Sequence, residues 1–113
     1  MPTVNIYYKN HSEEETVVKI YGAIDELQSF IAKELSCSSI FLSLSEISIR
    51  FIKVDYLSKM IGDIEIEVNA AAFPERVEKQ DEFCRNLDKF LEQETGITNT
   101  KTWLILSELG HSM

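Results

Sequence analysis

The chain begins Met1-Pro2, and this proline stands directly ahead of an alternating, strand-like run from Thr3 to Tyr8. Removal of Met1 would convert the Pro2 nitrogen from a tertiary amide into a free secondary amine. A free α-amino group titrates at about 7.7–8.0 in model peptides, and burial or a neighbouring cation lowers that pKa. Pro2 could therefore act as a base near neutral pH, although a proline at the start of a strand is more often purely structural.

A base of this kind needs a cation beside it. Moving a proton next to a carbonyl group develops negative charge that a positive group must stabilise. Arg50 is the first candidate, because a guanidinium can donate two parallel N–H bonds to a carboxylate. An equally good interpretation is that Arg50 pairs with Glu65 or Glu67 on a neighbouring strand.

Weaker candidates for substrate binding surround this pair. Lys53 follows Arg50 closely and could add positive charge, although a surface lysine is the commoner case. Tyr7 and Phe51 could form walls of a pocket, although aromatic residues on strands usually pack in a core or an interface. We predict Lys53, Tyr7 and Phe51 as substrate-binding residues beside Pro2 and Arg50.

The composition is that of one ordinary globular domain, which we place at residues 1–113. A net charge of −8 disfavours nucleic acid and anionic membranes as partners. No apolar run is long enough to span a bilayer and no signal-peptide pattern opens the chain, which predicts a cytoplasmic location. Cys37 and Cys84 have no metal-type neighbours in sequence and are predicted to be reduced thiols rather than a disulfide or a zinc site.

Strand and helix patterns alternate along the chain. Alternation of apolar and polar residues predicts four strands, at residues 3–8, 47–54, 64–69 and 102–107. One helix begins at Ser12, with Glu15 at the capping-box spacing, and another begins at Pro74 and ends before Gly96. The buried stripes of the two helices are predicted to contain Val17, Ile20, Tyr21, Ile24, Leu27, Ile31 and Leu35, and Val77, Gln80, Phe83, Cys84, Leu87, Phe90 and Leu91.

This order predicts an α+β two-layer sandwich with βαββαβ topology. Each βαβ half can form a parallel strand pair, and the two halves together give a four-stranded mixed sheet with both helices on one face. The other face of the sheet is then uncovered, and a symmetric oligomer is a natural way to cover it. That face is predicted to carry Thr3, Asn5, Tyr7, Ser48, Arg50, Ile52, Glu65, Glu67 and either Trp103 or Leu104.

The chain resembles the tautomerase superfamily in three places. These are Met1-Pro2 ahead of a strand, the second-strand segment from Ile49 to Asp55, and the segment from Ile66 to Ala70 that leads into the helix at Pro74. Within the superfamily, the chain looks most like 5-carboxymethyl-2-hydroxymuconate isomerases and proteins of the macrophage migration inhibitory factor type. The resemblance covers nearly the whole chain in the order and length of its elements.

The resemblance implies a specific activity. Proteins of this superfamily form trimers with sites at subunit borders, and their amino-terminal proline moves a proton between positions of an enol or dienol acid. Carried to this chain, Pro2 would be the base and Arg50 the partner of the substrate carboxylate, with no cofactor. The chain departs from the pattern in having no arginine before Arg50 and in replacing a glycine-rich turn by the segment from Ala70 to Phe73.

Two other interpretations stay open. One is a noncatalytic oligomer on the same fold, acting as a scaffold or a ligand-binding protein. The other is a ferredoxin-like regulatory or nucleic-acid-binding domain, since the βαββαβ order alone does not exclude it. The charge of −8 and the lack of basic and aromatic residues together on one strand argue against RNA.

Overall fold

The computed structural model describes residues 2–9, 11–36, 46–54 and 64–107, without the side chains of residues 11–14. Within these ranges no helix is both long and apolar enough to cross a membrane. The predicted cap at Ser12 and the predicted thiol of Cys37 lie outside what is described. The elements are β1 Thr3–Tyr8, α1 His11–Gly22, α2 Ile24–Leu35, β2 Ser48–Lys53, β3 Ile64–Ala71, α3 Pro74–Glu78, α4 Gln80–Thr95 and β4 Thr100–Ser107.

Each predicted helix is a pair of shorter helices. The breaks fall at Ala23 (φ −109°, ψ 22°) and at Lys79 (φ −104°, ψ 14°). Each break turns one segment relative to the next, so that a stripe drawn across the break does not stay on one side. Tyr21 is 66% exposed and Val77 is 51% exposed, and the prediction that they are buried was wrong. Arg76 is buried in place of Val77.

The sheet has four strands in the order β2-β1-β3-β4. β1 is parallel to β2, β3 is parallel to β4, and the two halves join through the antiparallel pair β1 and β3. The mixed sheet predicted from the sequence is therefore confirmed. Because β1 and β3 run in opposite directions, the first residues of β1 lie beside the last residues of β3, at the same end of the sheet.

One face of the sheet forms the core with the helices. Along β1 and β3 every second side chain faces the core, as strand alternation requires, and of these only Tyr8 at the end of β1 is not buried. Apolar residues of α2 and α4 pack against them, and each such side chain contributes roughly 1.5–3 kcal/mol through burial. The fully buried apolar side chains of these four elements are Val4, Ile6, Ile64, Ile66, Val68, Leu27, Ile31, Leu35, Leu87 and Leu91.

The opposite face, here called the open face, carries the alternate residues of all four strands. One row across it contains Arg50, Asn5, Glu67 and Trp103 in register. Trp103 is 41% exposed, whereas Leu104 is only 7% exposed and belongs to the core, which decides between the two alternatives left by the sequence. The open face consists of Thr3, Asn5, Tyr7, Ser48, Arg50, Ile52, Glu65, Glu67, Asn69, Lys101, Trp103 and Ile105.

Candidate functional site

Pro2 lies at the end of the sheet where β1 begins, and it immediately precedes β1, one of the two central strands. Its side chain is buried. Strand alternation places it on the same face of the sheet as Val4, the face that packs against the helices. Its carbonyl oxygen accepts a hydrogen bond from the Ser48 amide at 3.2 Å, which continues the pairing of β1 with β2. The backbone of Pro2 is thus held in place by a neighbouring strand. A base at this position would work from a fixed, largely dehydrated site.

Arg76 is a charged residue that is buried near this end of the sheet. Only 5% of Arg76 is exposed. Its Nε donates to the carbonyl oxygen of Leu35 and its Nη1 donates to that of Ala71, both at 2.9 Å. The guanidinium carbon also lies 4.8 Å from the ring centroid of Phe73. Leu35 is the last residue of α2, where a positive charge is favoured by the helix dipole.

The register of the strands places Arg76 near Pro2. Thr3 is paired with Asn69 in the antiparallel ladder, so continuing the ladder by one position places Pro2 opposite Ala70. Strand spacing and rise then put the backbone of Ala71 about 6 Å from that of Pro2. Since Arg76 donates to the Ala71 carbonyl, its guanidinium lies within about 10 Å of Pro2 by the same dimensions.

Sequence reasoning missed Arg76 entirely. The buried helical stripe that the sequence predicts contains its neighbour Val77 and not Arg76. A usable signal was present, since Arg76 follows Pro74 in the first turn of a helix that starts just beyond the end of β3. That turn lies at the edge of the sheet from which β1 starts.

Arg50, by contrast, does not meet Pro2 within one chain. It is exposed on the open face and paired with Asn5, three positions along β1 from Pro2, which is about 10 Å along the strand. It also lies on the other side of the sheet from the buried side chain of Pro2. Within the described ranges Arg50 makes no ion pair with Glu65 or Glu67. Within the described part of a single chain, Arg50 therefore has neither the predicted contact with Pro2 nor the alternative ion pair with a neighbouring strand.

The remaining predicted site residues lie further from Pro2. Lys53 is exposed and pairs with Tyr8 at the far end of β1. Phe51 pairs with Ile6 and makes an edge-on contact with Tyr21, with ring centroids 6.3 Å apart. A single chain does not bring Lys53, Phe51 or Tyr7 to Pro2.

Tyr7 instead belongs to a polar cluster around Glu67 on the open face. Oε1 of Glu67 accepts hydrogen bonds from Asn5 Nδ2 at 3.0 Å, Asn69 Nδ2 at 3.1 Å and the Tyr7 hydroxyl at 3.4 Å. The Asn5 and Asn69 hydrogen bonds lower the pKa of Glu67. Burial and the Glu67 charge raise the pKa of Tyr7, which keeps the phenol protonated as a donor. Asn5 Oδ1 is buried and has no hydrogen-bond partner among the described residues.

The Glu67 cluster predicts a specific acid sensitivity. Because the folded-state pKa of Glu67 is lowered, its contribution to stability is present above the unfolded pKa of about 4.3 and is lost as the pH falls through the folded value. Glu67→Gln cannot titrate, so we expect a flatter loss of stability below about pH 4.3 than in the wild type. Urea unfolding at stepped pH values measures this. Glu82→Gln, at an exposed position of α4, is the control. Identical pH dependence in Glu67→Gln and the wild type would contradict the assignment.

Two of the clefts that the described residues form lie away from Pro2. One, of about 440 Å³, lies between α2 and α4 over the stacked rings of Phe30 and Phe90, whose centroids are 4.7 Å apart. The other, of about 480 Å³, lies beside β4 and is lined by Cys84 and Trp103 among others. Among the described residues no group of three His, Cys, Asp or Glu side chains could hold a metal ion. Neither cleft is lined by Pro2 or Arg76.

Comparison with known proteins supports the fold. No protein-family model and no curated protein matches the chain. Among solved structures, a macrophage migration inhibitory factor-like protein from Entamoeba histolytica is 14% identical, with 98% of this chain and 95% of that chain covered and a TM-score of 0.57. A malonate semialdehyde decarboxylase is 11% identical, with 100% and 92% covered and a TM-score of 0.63.

A third similar structure is described as a fused 4-OT symmetric trimer. It is 10% identical, with 94% of this chain and 85% of that chain covered and a TM-score of 0.60. At these identities the likeness concerns the fold. The chain has the fold of the tautomerase superfamily, as its sequence predicted.

Proposed function

We propose that the chain is a small, cofactor-independent keto-enol tautomerase whose base is the amine of Pro2, released when Met1 is removed. Its substrate is a small enol or 2-hydroxydienoate acid. The observation that carries this proposal is the position of Pro2, buried at the start of the central strand of a tautomerase fold. A proline at that point becomes a fixed secondary amine in an apolar setting, where the neutral form of an amine is favoured.

The proposed reaction is a proton transfer with no net change in atoms or charge. The neutral amine takes the proton of the enol hydroxyl and leaves an enolate, whose oxygen keeps the electron pair of the O–H bond. That pair forms the ketone carbonyl as the electrons of the carbon–carbon double bond take the same proton back from the ammonium at carbon. A nearby cation stabilises the enolate charge between these two steps.

Arg50 stays the proposed partner of the substrate carboxylate, supplied by another copy of the chain. Its exposed guanidinium on the open face leaves it free to reach a neighbouring copy. We propose a homotrimer, as one protein of similar fold is described as a symmetric trimer. The 41% exposed Trp103 and 42% exposed Ile105 on the open face support burial of that face against other copies.

The oligomer is directly measurable. We expect sedimentation equilibrium to give three times the 13.0 kDa mass of the chain at micromolar concentration. Trp103→Glu is expected to shift the protein towards monomer, because it places a charge in the buried interface. Val18→Glu, at a 68% exposed position of α1, is the matched control and should leave the mass unchanged. A wild type that sediments only as a monomer would remove the proposed role of Arg50.

The activity is tested by blocking the Pro2 nitrogen without changing any side chain. Phenylenolpyruvate and 2-hydroxymuconate are suitable substrates, and their ketonisation is followed by ultraviolet absorbance. We compare protein freed of Met1 with protein that carries one extra residue ahead of Pro2, which turns the nitrogen into an amide. We expect at least a 100-fold lower kcat/KM in the extended protein, in line with removal of a general base, which accounts for about 10²–10⁴-fold. Equal rates in the two proteins would contradict the proposal.

A further inference from the structure

Two contacts fix how α2 and α4 lie beside each other. Asn86 Nδ2 donates a hydrogen bond to Glu34 Oε1 at 3.1 Å. One helical turn away, the rings of Phe30 and Phe90 stack with their centroids 4.7 Å apart and their planes inclined by 26°. The lower residue number on α2 goes with the higher one on α4, so the two helices run antiparallel. One further turn of about 6 Å in the same direction leads towards the start of α2 and the end of α4.

That register places Glu26 of α2 opposite Glu94 of α4. Both side chains are exposed, and both line the cleft of about 440 Å³ that contains the two stacked rings, here called the phenylalanine cleft. Asp25 adds a third carboxylate to its lining. Among the described residues that line it, Lys33 is the only cation, and it lies on the other side of Phe30 along α2 from Glu26. Negative charge is therefore concentrated at one end of the cleft.

The stability of the fold does not explain the position of Glu94. Asp25 and Glu26 lie in the first turn of α2, where the helix dipole favours acids. Glu94 lies in the last turn of α4, which has no basic residue and where the dipole disfavours an acid. The like charge of Glu26 opposite is a second unfavourable interaction. Within the described ranges no side-chain hydrogen bond or ion pair of Glu94 offsets them, whereas a bound cation would.

The rings of Phe30 and Phe90 offer a surface for the apolar part of a ligand. Each is only half-buried, although the two rings stack on each other. A further aromatic ring can pack against them in an offset or edge-on arrangement, and a cation within about 6 Å of a ring is attracted to its face. The cleft volume of about 440 Å³ lies in the range of small-molecule sites. The offset of about 6 Å between the rings and the facing carboxylates is one that a two-carbon chain can span.

The charge and size of the cleft favour a small organic cation over other occupants. A second copy of the chain has a net charge of −8 and is repelled by the carboxylates. A protein partner needs about 800 Å² on each side, and none of the large apolar side chains that are exposed among the described residues lines this cleft. Within the described part of the chain, no three carboxylates lie close enough together to hold a metal ion.

We propose that the phenylalanine cleft binds a small aromatic ammonium ion, with its ring against Phe30 and Phe90 and its nitrogen between the carboxylates of Glu26 and Glu94. The ligand is held by charge and by ring contact, and no bond is made or broken. The cleft is not lined by Pro2 or Arg76, so this binding is independent of the proposed tautomerase activity.

The test is a titration of ¹⁵N-labelled protein with phenethylammonium chloride, followed by amide chemical shifts. We expect saturable shifts at Ser29 and Phe90, which line the cleft, with a Kd on the order of 1 mM. 2-Phenylethanol has the same ring without the charge, and we expect it to bind about fivefold more weakly or worse. Magnesium chloride alone should give no saturable shift of these amides.

Variants separate the two parts of the site. Glu94→Gln removes one of the facing charges and should raise the Kd about threefold or more. Phe90→Leu keeps an apolar side chain without the aromatic ring and should raise it by a similar factor. Glu92→Gln, at an exposed position in the same turn of α4 but outside the cleft, is the matched control and should change the Kd by less than about 1.5-fold.

Three results would overturn the inference. These are equal affinities for phenethylammonium and 2-phenylethanol, an unchanged Kd in Glu94→Gln, and a trilysine peptide that shifts the same amides at lower concentration than phenethylammonium does. If Phe90→Leu does not fold, the first two comparisons decide. Protein extended ahead of Pro2 should keep the wild-type Kd, so that a failure of the proposed function and a failure of this inference are distinguishable.

Discussion

Replacement of Pro2 by alanine is expected to lower kcat/KM for an enol-acid substrate by about 100-fold or more, which is at the lower end of the range for loss of a general base. Alanine leaves a primary amine at the mature terminus, so a group of similar basicity remains. What is lost is the ring, which fixes the direction of the nitrogen at the buried edge of the sheet. The rate falls because the flexible amine is seldom aligned with the proton.

A matched control is available in the other proline of the chain. Pro74 is exposed at the first position of α3, where its replacement by alanine removes no N–H donor. We expect Pro74→Ala to keep kcat/KM within about twofold of the wild type, as surface substitutions away from special features change stability little. Turnover by Pro2→Ala at the wild-type rate, with Met1 removed from both proteins, would eliminate Pro2 as the base.

Replacement of Arg76 by alanine is expected to lower the free energy of unfolding by about 2–6 kcal/mol, because two hydrogen bonds to backbone carbonyl oxygens are lost. The change removes the hydrogen bonds that Arg76 donates to the carbonyl oxygens of Leu35 and Ala71. Each such loss costs roughly 1–3 kcal/mol. It also removes the contact with the ring of Phe73 and opens a cavity between α2, β3 and α3.

Urea unfolding measures this loss, with Arg85→Ala as the control. Arg85 is an exposed arginine on α4, and its removal should change the free energy of unfolding by less than about 0.5 kcal/mol. Arg76→Lys should fall between, because one ammonium retains the charge but does not reproduce the planar fork of a guanidinium. A loss below about 1 kcal/mol in Arg76→Ala would mean that the two hydrogen bonds carry little of the fold's stability.

The strands and their faces could be predicted from the sequence because a strand repeats every two residues. The alternation of Val4 and Ile6 with Asn5 and Tyr7 is enough to assign one set to the core and the other to the open face. The same reasoning placed Arg50 on the open face. The two parallel pairs, β1 with β2 and β3 with β4, were also predictable, since each βαβ half favours a parallel pair.

The breaks in the helices could not be predicted in the same way. Lys79 is an ordinary helix-forming residue, so its type does not predict its non-helical backbone (φ −104°, ψ 14°). That single turn moved Val77 outward and Arg76 inward. A pattern that assumes one continuous helix therefore does not predict that Arg76, near Pro2, is buried.

The distance between Pro2 and Arg50 could not be predicted for a different reason. Their separation depends on the register between β1 and β2, in which Arg50 is opposite Asn5 rather than Thr3. Register is set by the packing of the whole sheet and not by either strand alone. Sequence reasoning identified both residues but had no means of measuring the distance between them.

The central claim is that the free amine of Pro2 takes the proton from the substrate, and the pH dependence of the reaction tests it most directly. The ascending limb of kcat/KM reports the pKa of the base in the free enzyme. We predict that the limb in Met1-free protein coincides with the Pro2 pKa measured by ¹³C titration, and that it disappears in protein extended by one residue ahead of Pro2. A limb that persists unchanged in the extended protein would contradict the account.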